Sequence, residues 1–224
     1  GEAAQNLVRL FFMIEDSKKD ALDASPVKVR KAAVLGAGVM GGGIAQSVVD
    51  KAGVDVRMKD INWSALAGGM KAASKLWRKK VERRRMTRGE MSRSLARIST
   101  TVDWSGFHDA DLVVEAVVEN LNIKQQVLGE FEKAGSPEAI FASNTSTIPI
   151  TRIAAEAARP ENVVGMHFFN PVDRMPLVEV IRGAKSSDRA VVTVAAFARK
   201  LGKTVVLVLH DINFETEPGQ MIAL

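Results

Sequence analysis

The chain has 224 residues, 46% of them hydrophobic and 25% charged, with a formal net charge of +5. Such a composition suits one large or two small globular domains with a sizeable core. The absence of cysteine excludes disulfides, thiol catalysis and thiolate metal sites, and His108, His167 and His210 are too scattered to suggest a zinc centre, so no metal is expected.

Residues 1–22 read as an amphipathic helix, with Leu7, Leu10, Phe11 and Ile14 on one face and a break at Ser25-Pro26. A first strand is expected over Val29 to Leu35, a helix over Val39 to Lys51, and a second strand over Val54 to Asp60. A long basic helix follows from about Trp63 to Arg85, then a shorter one near Gly89 to Arg97. Asp111 to Ala116 is a buried strand, Leu121 to Ala134 a helix, Ala139 to Ala142 a strand and Ile150 to Ala158 a helix. Val163 to Phe169 and Leu177 to Ile181 are strands, Asp188 to Leu201 is a helix, and Thr204 to Leu209 is the last strand. Strands alternating with helices imply a mostly parallel, doubly wound α/β sheet with helices on both faces. The expected division is a linker helix at 1–27, the doubly wound domain at 28–209 and a tail at 210–224.

The charge is uneven. Residues 71–97 hold eleven Lys and Arg against two Glu, so this segment is net +9 and the remainder is net −4. One basic segment calls for a local ligand rather than a generally polyanionic partner. Nucleic acid is not expected, since no recognition motif or interleaved aromatic platform accompanies the basic run. No apolar run approaches the length of a membrane span, and a cytoplasmic protein is expected.

Chemistry concentrates at strand ends. Val34-Leu35-Gly36-Ala37-Gly38-Val39-Met40-Gly41 reads as strand, tight turn and helix. Gly36 permits the turn, Gly38 leaves room for a pyrophosphate, and Gly41 allows close helix–strand packing, with the helix N-terminus facing the anion. Asp60, at the end of the second strand, is placed to accept from adenosine ribose hydroxyls. Its charge would repel a 2′-phosphate, so NAD is expected rather than NADP. His167 lies near the carboxyl end of a strand and Glu179 twelve residues on; a return strand through Asn170-Pro171-Val172 would bring them together. A carboxylate beside an imidazole orients it as a general base, although the spacing alone fits a satisfied core histidine equally well. Ser143 to Thr147 either bind a substrate oxygen or cap the helix starting near Pro149, and local chemistry favours the cap.

Taken together, four segments resemble the 3-hydroxyacyl-CoA dehydrogenase family. They are Gly36 to Ala45, Val113 to Asn120, Ala142 to Ser146, and His167-Phe168-Phe169-Asn170-Pro171 running on to Met175 to Glu179. The resemblance covers about residues 28–208, and residues 1–25 resemble the helix that joins a hydratase part to the dehydrogenase part in multifunctional bacterial members. It implies NAD-dependent oxidation of an L-3-hydroxyacyl-CoA to a 3-ketoacyl-CoA in fatty-acid β-oxidation. It further implies His167 as base, Glu179 as its orienting carboxylate, and Ser146 and Asn170 as partners of the reacting oxygen. Cofactor contacts would come from Gly36, Gly38, Met40, Gly41, Asp60, Val117, Glu119, Lys124, Asn144, Ser146 and Asn170. Lys75, Lys79 and Arg83, spaced four apart, would face the coenzyme A phosphates. The family continues into a helical domain, whereas Leu209 to Leu224 diverge from that pattern; the alternative expectation is therefore a cofactor-binding module without turnover, self-associating through uncovered apolar surface.

Overall fold

The computed structural model describes Leu22 and residues 24–209. The expected linker helix at 1–27, apart from its last residues, and the tail at 210–224 lie outside the described residues. Eight strands form one sheet in the order β3-β2-β1-β4-β5-β6-β7-β8. They are β1 Lys31–Leu35, β2 Asp55–Lys59, β3 Ile98–Thr101, β4 Leu112–Glu115, β5 Ile140–Ser143, β6 Val163–Phe168, β7 Leu177–Arg182 and β8 Thr204–Val208. Every neighbouring pair is parallel except β6 with β7. The chain reverses direction across the sheet between β1 and β4, the switch point at which ligands settle in this architecture.

Side-chain alternation explains the two faces. Val34, Met58, Val114 and Ala142 point into one core with helices α1 (Val39–Ser47), α2 (Trp63–Glu82) and α6 (Asp188–Lys200). Ala33, Leu35, Val113 and Phe141 point into the other, with Leu128 and Phe131 of α4 (Leu121–Ala134) and Ile150 and Ile153 of α5 (Ile150–Ile153). Strands buried on both faces read as continuous apolar runs, as the central ones do here.

The elements depart from expectation in three places. The edge strand β3 was not anticipated, because Ile-Ser-Thr-Thr lacks an apolar run and a sheet edge does not demand one. The first helix changes to a π turn at Val48–Ala52 before Gly53 ends it in the left-handed region at φ 61°. The helix expected to reach Ala158 stops at Ile153 and gives way to a single 3-10 turn at Ala154–Glu156.

Helix α2 carries the first part of the basic run, and its placement is built in. The Asn62 side chain caps its start by accepting from Ala65 N at 2.8 Å. Trp77 is completely buried; its indole N–H donates to Asp50 Oδ1 at 3.0 Å, and Lys80 Nζ reaches both Asp50 oxygens at 2.6 Å. Lys80 is thus a bolt between helix and π turn. A shorter helix, α3 (Arg88–Leu95), follows with a reciprocal Thr87–Glu90 capping box. Among the described residues no helix is long and apolar enough to cross a membrane.

Candidate active site

One end of the site is made of backbone. The chain leaves β1 at Gly36, which has φ +92°, and a Cβ there would lie 2.5 Å from the carbonyl oxygen of Ala116. A Cβ on Gly41 would lie 1.8 Å from the Gly36 carbonyl oxygen, so turn and helix close on each other only if both are glycine. Gly38 caps α1 in extended conformation, and a Cβ there would meet nothing within 4 Å. That gap lies at the N-terminus of a helix whose first turn bears no acidic residue. A dinucleotide pyrophosphate fits this cradle: it is open at Gly38 and faces the N-terminus of a helix. Met40, in the same first turn, is half-buried against the core.

Asp60 follows β2. Its Oδ2 accepts from Ala37 N and its Oδ1 from Ile61 N, each at 2.6 Å, tying the glycine turn to the next strand. A carboxylate oxygen has more than one acceptor direction, so ribose hydroxyls can still be received.

The other end is made of side chains. Glu119, after β4, gathers Thr145 Oγ1 at 2.5 Å, Ser146 N at 3.0 Å and Thr147 N and Oγ1 at 3.1 Å, all on its Oε1. The Ser146 hydroxyl reaches the same oxygen at 3.5 Å. Burial pushes the Glu119 carboxyl up, but the Thr145 hydroxyl, the Lys124 ammonium and the Ser146 and Thr147 amides outweigh it and hold the pKa at about 2. The capping role favoured for Ser143 to Thr147 is overturned: α5 has Pro149 at its cap with no side-chain hydrogen bond, the hydroxyls of Thr145, Ser146 and Thr147 turn to Glu119, and that of Ser143 turns to Glu115. Thr145 does both: its hydroxyl donates to the carboxylate, while its oxygen accepts from Ile148 N at 2.9 Å.

Lys124 also sits differently from a direct cofactor contact. Its side chain is 1% exposed, and its amine lies 2.8 and 3.1 Å from the two oxygens of the wholly buried Glu115 and 3.2 Å from Glu119 Oε2. The exposed member of this group is Glu119, with 37% of its side chain accessible. Val117 is half-buried and contributes its backbone N–H to Glu115 Oε1 at 2.8 Å. Asn144 Oδ1 accepts from Phe168 N at 2.8 Å, locking the ends of β5 and β6 together.

His167 and Glu179 are directly opposite each other in the antiparallel β6–β7 pair, and Nδ1 lies 2.9 Å from Oε2. The carboxylate accepts, so Nδ1 donates and the neutral ring carries its lone pair on Nε2, which has no hydrogen-bond partner among the described residues. The connection between these strands, residues 169–176, contains a cis Asn170–Pro171 peptide. It is pinned from outside by Lys203, whose ammonium donates to the carbonyls of Val172 at 2.5 Å and Met175 at 2.7 Å.

A cleft of 460 Å³ brings Asn170 and Pro171 together with Val39, Lys75 and Lys79. An adjoining cleft of 530 Å³ is lined by Lys79, Arg83 and Arg174 among others. The three basic residues singled out, Lys75 and Lys79 on α2 and Arg83 at its C-terminal cap, therefore divide between two neighbouring hollows that share Lys79.

Comparison with known proteins decides the family. Residues 31–212 match the family described as 3-hydroxyacyl-CoA dehydrogenase, NAD binding domain. The chain belongs to the 3-hydroxyacyl-CoA dehydrogenase family. The family is one of NAD-dependent oxidoreductases. The fatty acid oxidation complex subunit alpha of Shewanella amazonensis is 51% identical over 207 residues, covering 92% of this chain and 29% of that relative. This chain therefore spans under a third of the curated relatives it matches. Among solved structures, 3-hydroxybutyryl-CoA dehydrogenase from Escherichia coli K12 is 34% identical with a TM-score of 0.78, over 83% of this chain and 39% of that one. The (S)-3-hydroxybutyryl-CoA dehydrogenase of Ralstonia eutropha is also 34% identical at TM-score 0.78, over 83% of this chain and 65% of that one. Two features escaped the sequence reading. Glu115 falls there within a buried strand and a family-like segment with no partner assigned, and Lys203 has no place in it; a carboxylate ending an apolar run, nine residues before a lysine, was the available signal for the first.

Proposed function

We propose that this chain is the cofactor and base half of an enzyme that oxidises L-3-hydroxyacyl-CoA to 3-ketoacyl-CoA with NAD. The observation that carries the reading is the His167–Glu179 pair, Nδ1 to Oε2 at 2.9 Å, on the same sheet as the glycine cradle and beyond the switch point from it. In this reading Gly36, Gly38, Met40, Gly41 and Asp60 would hold the adenosine and pyrophosphate part of the dinucleotide. Val117, Glu119, Asn144, Ser146 and Asn170 would hold its nicotinamide part. Bound NAD supplies the acceptor for the hydride that leaves the hydroxyl-bearing carbon. His167 Nε2 takes the hydroxyl proton as that happens, and Glu179 keeps the ring in the tautomer that can do so. Ser146 and Asn170 donate to the oxygen as it becomes a carbonyl. Lys124 acts on the cofactor through Glu119, which it holds in place. Lys75, Lys79 and Arg83 receive the phosphates of coenzyme A.

A second reading has its own support. The chain spans 29% of its curated relative, and the residue range 28–209 can be a unit that binds cofactor while another segment completes the substrate pocket. Self-association through apolar surface and a cytoplasmic location belong to the same proposal. Following NADH absorbance with acetoacetyl-CoA separates the two: a steady, enzyme-dependent decline supports turnover, whereas NADH binding without decline supports the module. A chain that binds no NADH would sink both.

A further inference from the structure

Beneath Glu119 lies a charge arrangement that the proton transfer to His167 does not use. Glu115 is wholly buried at the end of β4, and Lys124 is nearly so on α4. Besides the ammonium, Glu115 receives Val117 N on Oε1 at 2.8 Å and the Ser143 hydroxyl on Oε2 at 2.6 Å. Lys124 then bridges to Glu119 Oε2 at 3.2 Å. Lys124 and Glu119 alone would form a neutral pair. Adding a second carboxylate at full burial costs several kcal/mol of desolvation before pairing, and an apolar residue there would avoid it. With Glu115 the three charged groups sum to −1, and among the described residues no other cation pairs with any of them. The remaining partners of Glu119 are neutral hydroxyls and amides.

The position of this excess charge gives it a use. The oxidised nicotinamide ring bears a formal positive charge, and gaining a hydride removes it. A fixed negative charge beside the ring therefore distinguishes the two redox forms of one ligand. We propose that Glu115 is a positioning residue that keeps the Glu115–Lys124–Glu119 cluster net negative, and that the cluster biases the site towards the oxidised cofactor. Glu115 meets no cofactor itself; it acts by neutralising Lys124, so that the charge of Glu119 is left unspent. The inference rests on the reading above that the nicotinamide half lies at the Glu119 end.

The test is the ratio of two dissociation constants, for NAD+ and for NADH, measured by calorimetry on the same preparation. Disordering the site weakens both forms together and leaves the ratio alone, whereas a change of charge moves it. Glu115→Gln brings the cluster to zero and is expected to shift the ratio about fivefold towards NADH, the scale of one charge acting across partly solvated protein. Ser143→Ala removes a donor but no charge and should leave the ratio within about twofold. If Glu115→Gln does not fold, the double variant Glu115→Gln/Lys124→Met restores −1 with a less demanding interior and should keep the original ratio. A ratio that departs from the original in the double variant, in either direction, or that stays fixed in Glu115→Gln while both forms bind, overturns the proposal. Failure of the unsubstituted chain to bind either form overturns the nicotinamide reading along with it.

Discussion

The two ends of the site are held by opposite means. Around Gly36 and Gly41 the geometry exists because side chains are missing, and backbone meets backbone at distances no Cβ allows. Around Glu119, His167 and Glu179 the geometry exists because side chains from different strands find one another. The first kind of site is all-or-none, since a methyl group either fits or does not. The second is graded, because each hydrogen bond can be removed singly with a limited and separable effect.

Substitutions can strain that contrast. The largest effect is expected at the backbone end: Gly41→Ala places a methyl 1.8 Å from a carbonyl and should cost more than about 4 kcal/mol, read as loss of the folded signal in a thermal scan. His167→Gln should lower any turnover by about a hundred- to ten-thousandfold while NADH affinity stays nearly unchanged. A large fall in affinity would show that the imidazole also holds cofactor. Gly38→Ala sharpens the comparison within a single turn. Nothing of the protein lies within 4 Å of the new methyl, so melting should hardly move while NADH affinity falls about tenfold, some 1.4 kcal/mol. Equal damage at Gly38 and Gly41 would mean that the cradle is merely structural. The smallest effect concerns acid. The Glu119 pKa is depressed to about 2 in the folded chain, so its contribution to stability is complete above its usual carboxylate range and fades as pH falls through that value. Between pH 5 and 8 a titration of NADH affinity should show no step that disappears in Glu119→Gln.

The same contrast governs what could be read without coordinates. The glycine turn was legible because its determinants are adjacent in the chain, and strand, turn and helix each leave a local pattern. Asp60 was legible for its distance from that turn. The His167–Glu179 pair could be placed because a short connection leaves two strands little choice of partner. Ser143 to Thr147 were misread because the nearest use for hydroxyls is a helix cap, while their actual acceptor lies more than twenty residues back in the chain. Lys124 was named as a cofactor contact, but its ion pair with Glu115 was obscured for a related reason: a strand carboxylate nine residues before a helix lysine shows no local pattern of pairing. The strand β3 left no pattern, because an edge position asks little of Ser99 and Thr100.

The pairing of β6 with β7 has a consequence for how such a chain can change. His167 and Glu179 face each other by register, not by loop conformation. Residues can therefore be added to the connection at 169–176 without parting the pair, provided the strands keep their alignment. A single deletion between Leu177 and Glu179 would instead bring Val180 opposite the imidazole and turn the carboxylate to the other face. Length variation among descendants of this sequence should accordingly collect in the connection and stop sharply at the first paired residue.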